Sequence, residues 1–164
     1  MTIRKAVDAM KEYLEGVTGG IILPVAVQKG DMTYTERAPA IHEMRLPDSR
    51  SYDKIAPYII VQPCNFADKQ PQGETSQSSV TMRLIFCVYN QNEEEGALML
   101  LNLMETVRIA MLKEVFIGGI FELDRSAGLE GLIYSDDTKP YYGGELIGTL
   151  KLPEIEREVI MNGW

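Results

Sequence analysis

The sequence predicts an α+β protein, in which two helices pack on one face of an antiparallel β-sheet with strands of mixed length. Two segments, one at the N-terminus and one between Gln91 and Glu114, carry apolar residues at helical spacing. A third segment, Val80–Asn90, alternates strictly from side to side as a long strand does. The predicted elements follow no regular βαβ alternation, which argues against a parallel doubly wound sheet.

The first helix is predicted from its apolar stripe, which runs from Ile3 to Val17, with Thr2 able to cap its start. Glycines at positions 16, 19 and 20 end the helix. The following segment, Ile21–Gln28, has the composition of a strand, but Pro24 cannot donate a ladder hydrogen bond. We therefore expect this strand to be broken or to lie at an edge.

Two long polar stretches and a tail are predicted within a single domain of residues 1–164. Residues 29–57 are too many for an ordinary connection, so part of them is expected to form a functional or disordered loop. Tyr58–Gln62 is expected to be a short strand. Residues 63–79 are rich in turn formers and predict a long, mobile hairpin arm. Residues 153–164 form a short acidic tail.

The central strand and the second helix give the strongest local signals. One face of the strand is entirely apolar, comprising Val80, Met82, Leu84, Phe86 and Val88. In the helix, Asn92 is the expected N-cap and Glu95 completes a capping box. A second apolar stripe on this helix predicts that the first helix covers it; it comprises Leu98, Leu101, Ile109 and Leu112. Three further strands are predicted at Ile120–Leu123, Leu129–Tyr134 and Glu145–Leu152.

Charge and composition exclude several functions. The 24 acidic and 16 basic residues give a formal charge of −8, which argues against neutralising nucleic-acid phosphates or docking on anionic membranes. The N-terminus lacks the apolar core of a signal peptide, and no apolar run approaches the roughly 18–20 residues of a membrane span. The two cysteines, Cys64 and Cys87, lack CxxC spacing, so neither a disulfide scaffold nor a zinc site is indicated, and a reducing interior is expected.

No constellation of catalytic residues is predicted. His42 is the only histidine and has no nucleophile motif to serve. Glu93–Glu95 point in three directions around a helix and cannot converge on one ion. Asp136 and Asp137 alternate sides in an extended chain and sit among turn residues. We therefore expect no enzyme activity, no cofactor and no metal; the open alternative is a small-molecule-binding or enzymatic domain that uses His42, Asp136 and Asp137.

Three segments resemble a known family: "PYIIVQP" at 57–63, "NEEEGALMLLNLMETVR" at 92–108 and "DTKPYYGGELIGTLKLP" at 137–153. Their order and layout resemble the tail terminator, or tail completion, proteins of long-tailed bacteriophages and prophages. The resemblance implies a homo-oligomeric, six-fold ring that caps the tail tube, ends its polymerisation and presents a surface to the head. A head-closure or neck connector protein of the same particle is the alternative.

The resemblance also implies partners and a location. The partners are the tail tube protein and the head or neck connector proteins, with DNA passing through the ring unbound and no membrane involved. The protein would reside in the bacterial host cytoplasm during assembly and then in the virion tail. The expected contact residues are Glu36, Arg37, His42, Arg45, Phe66, Lys69, Asp136, Asp137, Lys139, Tyr141 and Tyr142.

Overall fold

Two helices lie on one face of a curled, mostly antiparallel sheet, which confirms the predicted α+β class. The computed structural model describes residues 2–27, 34–47 and 55–155. The helices are α1 (Thr2–Thr18) and α2 (Glu93–Lys113). The strands are β1 (Leu23–Pro24), β2 (Glu36–Arg37), β3 (Ala40–Glu43), β4 (Tyr58–Lys69), β5 (Gln77–Tyr89), β6 (Phe116–Ile117), β7 (Phe121–Leu123), β8 (Leu129–Ile133) and β9 (Tyr141–Leu152).

The main sheet is built around the three long strands β4, β5 and β9, which pair antiparallel in that order. On one side β3 pairs with β4, and this is the one parallel pair among the described strands. On the other side β9 pairs with both β7 and β8 at different points along its length. β6 extends the sheet beyond β7, while β1 and β2 form a separate two-stranded ladder.

The core lies between the inner face of this sheet and the two helices. The predicted apolar face of β5 is fully buried and confirmed in all five residues: Val80, Met82, Leu84, Phe86 and Val88. α1 contributes Ala6, Val7, Met10 and Leu14, and α2 contributes Leu100, Leu103, Met104, Val107 and Met111. Burying each large aliphatic or aromatic side chain of this set stabilises the fold by roughly 1.5–3 kcal/mol.

The N-cap of α2 is confirmed, but the capping box is not completed by Glu95, because the Asn92 N–H donates to Asn90 Oδ1, and the predicted second interface is wrong. The Asn92 side chain accepts a hydrogen bond of 3.1 Å from the Glu95 N–H, as an N-cap should. Leu98, however, is 53% exposed, and Leu101 and Ile109 are exposed as well. Because α1 also rests on β3 and β4, it lies beside α2 in the same layer and leaves the outer side of α2 uncovered.

Residues 63–79 are mostly strand, which corrects the expected loop. β4 continues to Lys69 and pairs with β5 as far as Gln77, so only residues 70–76 join the two strands. Backbone groups form this ladder, and polar side chains do not prevent it. Pro63 lacks a backbone N–H, and β4 tolerates it because β3 ends opposite Val61. Beyond that point no described strand pairs with this edge of β4, so the proline costs no ladder hydrogen bond there. The mobility of this arm in the free protein stays a prediction.

The long polar stretch 29–57 also contains regular structure. β2 and β3 lie within it, so His42 occupies a strand rather than the predicted exposed loop. Residues 29–33 and 48–54 of this stretch lie outside the described residues, as do residues 156–164 of the predicted tail. The two-residue β1 confirms that the strand containing Pro24 is broken. In the described part of the chain, no helix has the length and apolarity to cross a membrane.

Candidate functional site

The outer face of the sheet, opposite the helices, carries a cavity of about 510 Å³. Its position follows from strand alternation: β5 turns Ile85 and Cys87 outward, and Cys87 pairs across the ladder with Tyr58 of β4. Segments at Ala26 and Ala56 border this face and are joined by a hydrogen bond of 3.0 Å from the Ala26 N–H to the Ala56 carbonyl. The side chains that give the cavity its chemistry are Tyr58, Ile85, Cys87, Tyr134, Asp136 and Tyr141.

The thiol and the hydroxyl groups of the cavity stay protonated at neutral pH. Burial raises the pKa of the Cys87 thiol, against a smaller opposing effect of its hydrogen bond to Tyr58. Burial also raises the pKa of Tyr58 strongly, and Cys87, Tyr141 and Tyr134 add to that rise. Because a thiolate rather than a thiol is the nucleophile, Cys87 is not activated for covalent chemistry. The cavity therefore presents the Cys87 thiol and the Tyr58 hydroxyl as neutral polar groups.

An ion pair between a half-exposed arginine and a buried glutamate lies next to Tyr134. Arg83 Nε is 2.8 Å from Glu145 Oε2, and the Glu145 side chain is almost fully buried. The pKa of Tyr134 is raised first by burial and then by the charge of Glu145. The charges of Arg83 and Glu145 largely offset each other, so they leave little net charge beside the cavity.

The loop before β9 is held by contacts at the end that leads into the strand. Lys139 Nζ lies 2.6 Å from Glu93 Oε2, which ties the loop to the first turn of α2. The Thr138 hydroxyl donates to the Tyr141 carbonyl at 2.7 Å, and the Tyr141 N–H donates back to the Thr138 carbonyl. This turn places Asp136 at the cavity, whereas Asp137 does not line it.

Tyr141 and Tyr142 are adjacent in sequence but have different surroundings. Tyr141 faces outward with its ring centroid 5.6 Å from that of Tyr89, and it remains partly exposed. Tyr142 faces inward, and its ring lies against Gly96 of α2. Its hydroxyl is buried and has no hydrogen-bond partner among the described residues. Tyr142 therefore packs within the chain, and only Tyr141 is available to a partner.

Arg37 fastens the β2 segment to the residues that lead into β4. Its guanidinium donates to the carbonyls of Pro57 at 2.8 Å and Ile55 at 2.7 Å. Glu36, its neighbour, accepts a hydrogen bond of 2.6 Å from the Tyr34 hydroxyl. Both expected contact residues thus make contacts within the chain.

The remaining expected contact residues are separated from the cavity or stand beside it. The His42 ring centroid lies 6.4 Å from that of Tyr58, so His42 is next to the cavity but does not line it. Arg45 is exposed, two residues after the end of β3. Phe66 and Lys69 are exposed on the β4–β5 hairpin. The structure therefore does not bring His42, Asp136 and Asp137 together as one pocket. Within the described ranges, no group of three His, Cys, Asp or Glu side chains could hold a metal ion.

The sheet also presents free edges. β8 pairs with β9 and with no other strand of the described chain, and four of its five residues are exposed. Leu132 is 57% exposed, and Ile133 beside it is exposed too. At the opposite side of the sheet, β3 pairs with β4 and with no other described strand.

Sequence reasoning missed Tyr58, Cys87 and Tyr134 as site residues. One signal was present: the second face of β5 is not polar, since Ile85, Cys87 and Tyr89 all lie on it. Such a face indicates that something covers it. No protein-family model matches the chain, and the search of curated proteins found no significant match.

Proposed function

We propose that this chain is a structural protein of a bacteriophage or prophage particle. It forms a homo-oligomeric ring, six-fold by the family resemblance, on the end of the tail tube. The ring stops polymerisation of the tube protein and offers its other surface to the head or neck connector. The observation that carries this proposal is the free edge of β8 with its exposed apolar residues.

A free edge strand exposes backbone N–H and C=O groups that another strand can pair with. β8 lacks the proline and lysine that commonly protect such edges, and Glu130 is its only charged residue. Pairing would bury Leu132 and Ile133 at the same time as it satisfies the backbone. A second copy of the chain is the partner that suits an assembly protein best.

Two of the free edges of the sheet suggest how a ring would close. β8 lies on one side and β3 on the other, so an edge of one copy can meet the different edge of the next. Contacts between unlike surfaces generate rings when the rotation closes. The formal charge of −8 per copy opposes this association, and magnesium should favour it by screening and bridging carboxylates.

Light scattering across protein and magnesium concentration tests the association. We expect a monomer in dilute, low-salt buffer and a ring at high concentration with magnesium. Leu132→Lys should abolish the ring, because it places a charge on the pairing edge. Ile22→Lys is the matched control, since Ile22 is similarly exposed at 54% but lies outside both edges. A monomer under every condition, or equal loss in both variants, would contradict the proposal.

Electron microscopy of particles that lack the protein tests the role. A terminator predicts tails of abnormal length that fail to join heads. A neck connector, the alternative role, predicts tails of normal length without heads. Normal tails joined to heads would exclude both roles.

A further inference from the structure

The cavity on the outer sheet face is not used by pairing of strand edges, and its lining combines three kinds of group. Ile55, Ala56 and Ile85 supply an apolar surface. Tyr58, Tyr134 and Tyr141 supply aromatic rings and hydroxyl oxygens. Asp136 is the one charged residue among the described residues that line the cavity, and it is acidic.

We propose that this cavity binds an organic cation with an aliphatic stem, namely an alkylammonium or guanidinium group. The stem would lie on the apolar surface, and the head group would sit among the tyrosines within reach of the Asp136 carboxylate. The 510 Å³ volume is within the roughly 300–1,000 Å³ of typical ligand sites. The site is distinct from the sheet edges invoked for the ring, and neither proposal requires the other.

The choice of a cation follows from electrostatics. Aromatic faces attract cations through the negative potential of the ring, with tyrosine among the effective residues. Asp136 adds a full negative charge, and the formal charge of −8 raises the local concentration of cations. Arg83, the cation whose charge acts on Tyr134, is paired with Glu145 and does not line the cavity. An anion would meet Asp136 without a compensating charge among the described lining residues.

The first experiment compares two ligands of equal shape. Choline and its neutral isostere 3,3-dimethylbutan-1-ol are titrated into the full chain, and tyrosine ring resonances are followed by NMR. Cation–π attraction of about 1 kcal/mol corresponds to roughly fivefold tighter binding of choline. Equal affinity of the two ligands, or no binding of choline, would overturn the proposal.

Variants locate the binding. Asp136→Asn should weaken choline binding several-fold, whereas Asp137→Asn, the matched control, should leave it unchanged because Asp137 does not line the cavity. Tyr134→Leu should weaken the binding of choline more than the binding of the neutral isostere. Thermal unfolding of each variant checks that the fold is intact. Equal effects of the two aspartate variants would contradict the assignment.

A second measurement needs no variant. Cys87 lines the cavity and Cys64 is exposed elsewhere, so each can be labelled with methanethiosulfonates that carry a trimethylammonium or a sulfonate group. In each reaction the cysteine sulfur forms a disulfide and methanesulfinate leaves. The ratio of cationic to anionic labelling rate should be several-fold larger at Cys87 than at Cys64. Equal ratios at the two cysteines would count against a cation site.

A further pair of ligands distinguishes the source of the cation. Butylammonium and the tripeptide acetyl-Gly-Lys-Gly-amide share a head group and a stem. Binding of the peptide at least as tight as that of butylammonium indicates a lysine of a partner protein, and binding of butylammonium alone indicates a free amine. Binding of neither ligand would overturn the proposal.

Discussion

Gly96 is the position where α2 lies against the Tyr142 ring of β9, and Gly96→Ala should destabilise the protein. A Cβ at this position would stand 2.3 Å from Cε2 and 2.6 Å from Cδ2 of Tyr142. Ordinary contacts between carbon atoms are about 3.5–4.0 Å, so the ring must move by more than about 1 Å. Tyr142 packs against the core, so moving its ring disturbs those contacts.

The expected magnitude is the difference between two opposing effects. Overpacking a well-filled site costs about 1–3 kcal/mol. Replacing glycine by alanine within a helix raises the free energy of unfolding by up to about 1 kcal/mol. The net free energy of unfolding should fall by roughly 1–2 kcal/mol, which lowers Tm by about 2–8 °C for a chain of this size.

Gly16→Ala is the matched control, because Gly16 is also helical and a Cβ there would meet nothing within 4 Å. Urea denaturation should show Gly16→Ala unchanged or more stable, by up to about 1 kcal/mol. In a Tyr142→Ala background, Gly96→Ala should no longer lower the free energy of unfolding, because the ring that a Cβ would meet is absent. If Gly96→Ala is neutral, or if its cost persists without the ring, the proposed clash is wrong.

Three further substitutions test contacts within the chain by thermal unfolding. Arg37→Lys should lower the free energy of unfolding by about 1–2 kcal/mol, because an ammonium cannot reproduce the forked hydrogen bonds to the Pro57 and Ile55 carbonyls. An unchanged Tm would contradict this. The pKa of Glu43 is raised by burial and then by Asp8, so the folded chain binds a proton at Glu43 more readily than the unfolded chain does. The ionised side chain therefore destabilises the fold at pH 7, and Glu43→Gln should raise Tm there. This gain in Tm should disappear as the pH falls through the raised pKa towards 4.5. The pKa of Asp124 is lowered chiefly by its hydrogen bond from the Ser126 hydroxyl, so the ionised carboxylate stabilises the fold at neutral pH and this stabilisation is lost as the pH falls below 3.8. Ser126→Ala should therefore lower Tm at pH 7, by an amount that shrinks in acid. A difference in Tm that stays constant with pH would refute this.

The candidate site was only partly predictable. The Asp136 loop was expected as a contact segment, but the strand after it was predicted to begin at Glu145, whereas β9 begins at Tyr141. Tyr58 and Cys87 were missed because each lies on a strand whose inner residues dominate the pattern. Their outward neighbours form a cavity only after β4, β5 and β9 are aligned in register.

The sequence by itself determined the elements whose signals are local. Helical spacing located α1 and α2, the Asn92 cap marked the start of α2, and alternation identified the buried face of β5. Each of these depends on residues within a few positions of one another, so no distant contact is needed to recognise it.

Only the tertiary structure decided the length of β4, the parallel placement of β3 and the exposure of the outer stripe of α2. Strand pairing uses backbone groups that every residue carries, so the polar half of β4 has no distinctive side-chain signal. The exposure of Leu98 depends on where α1 rests, which is set by its packing on β3 and β4. The cavity likewise joins Tyr58, Cys87 and Tyr134, which are far apart in the chain and come together only because the sheet fixes their register.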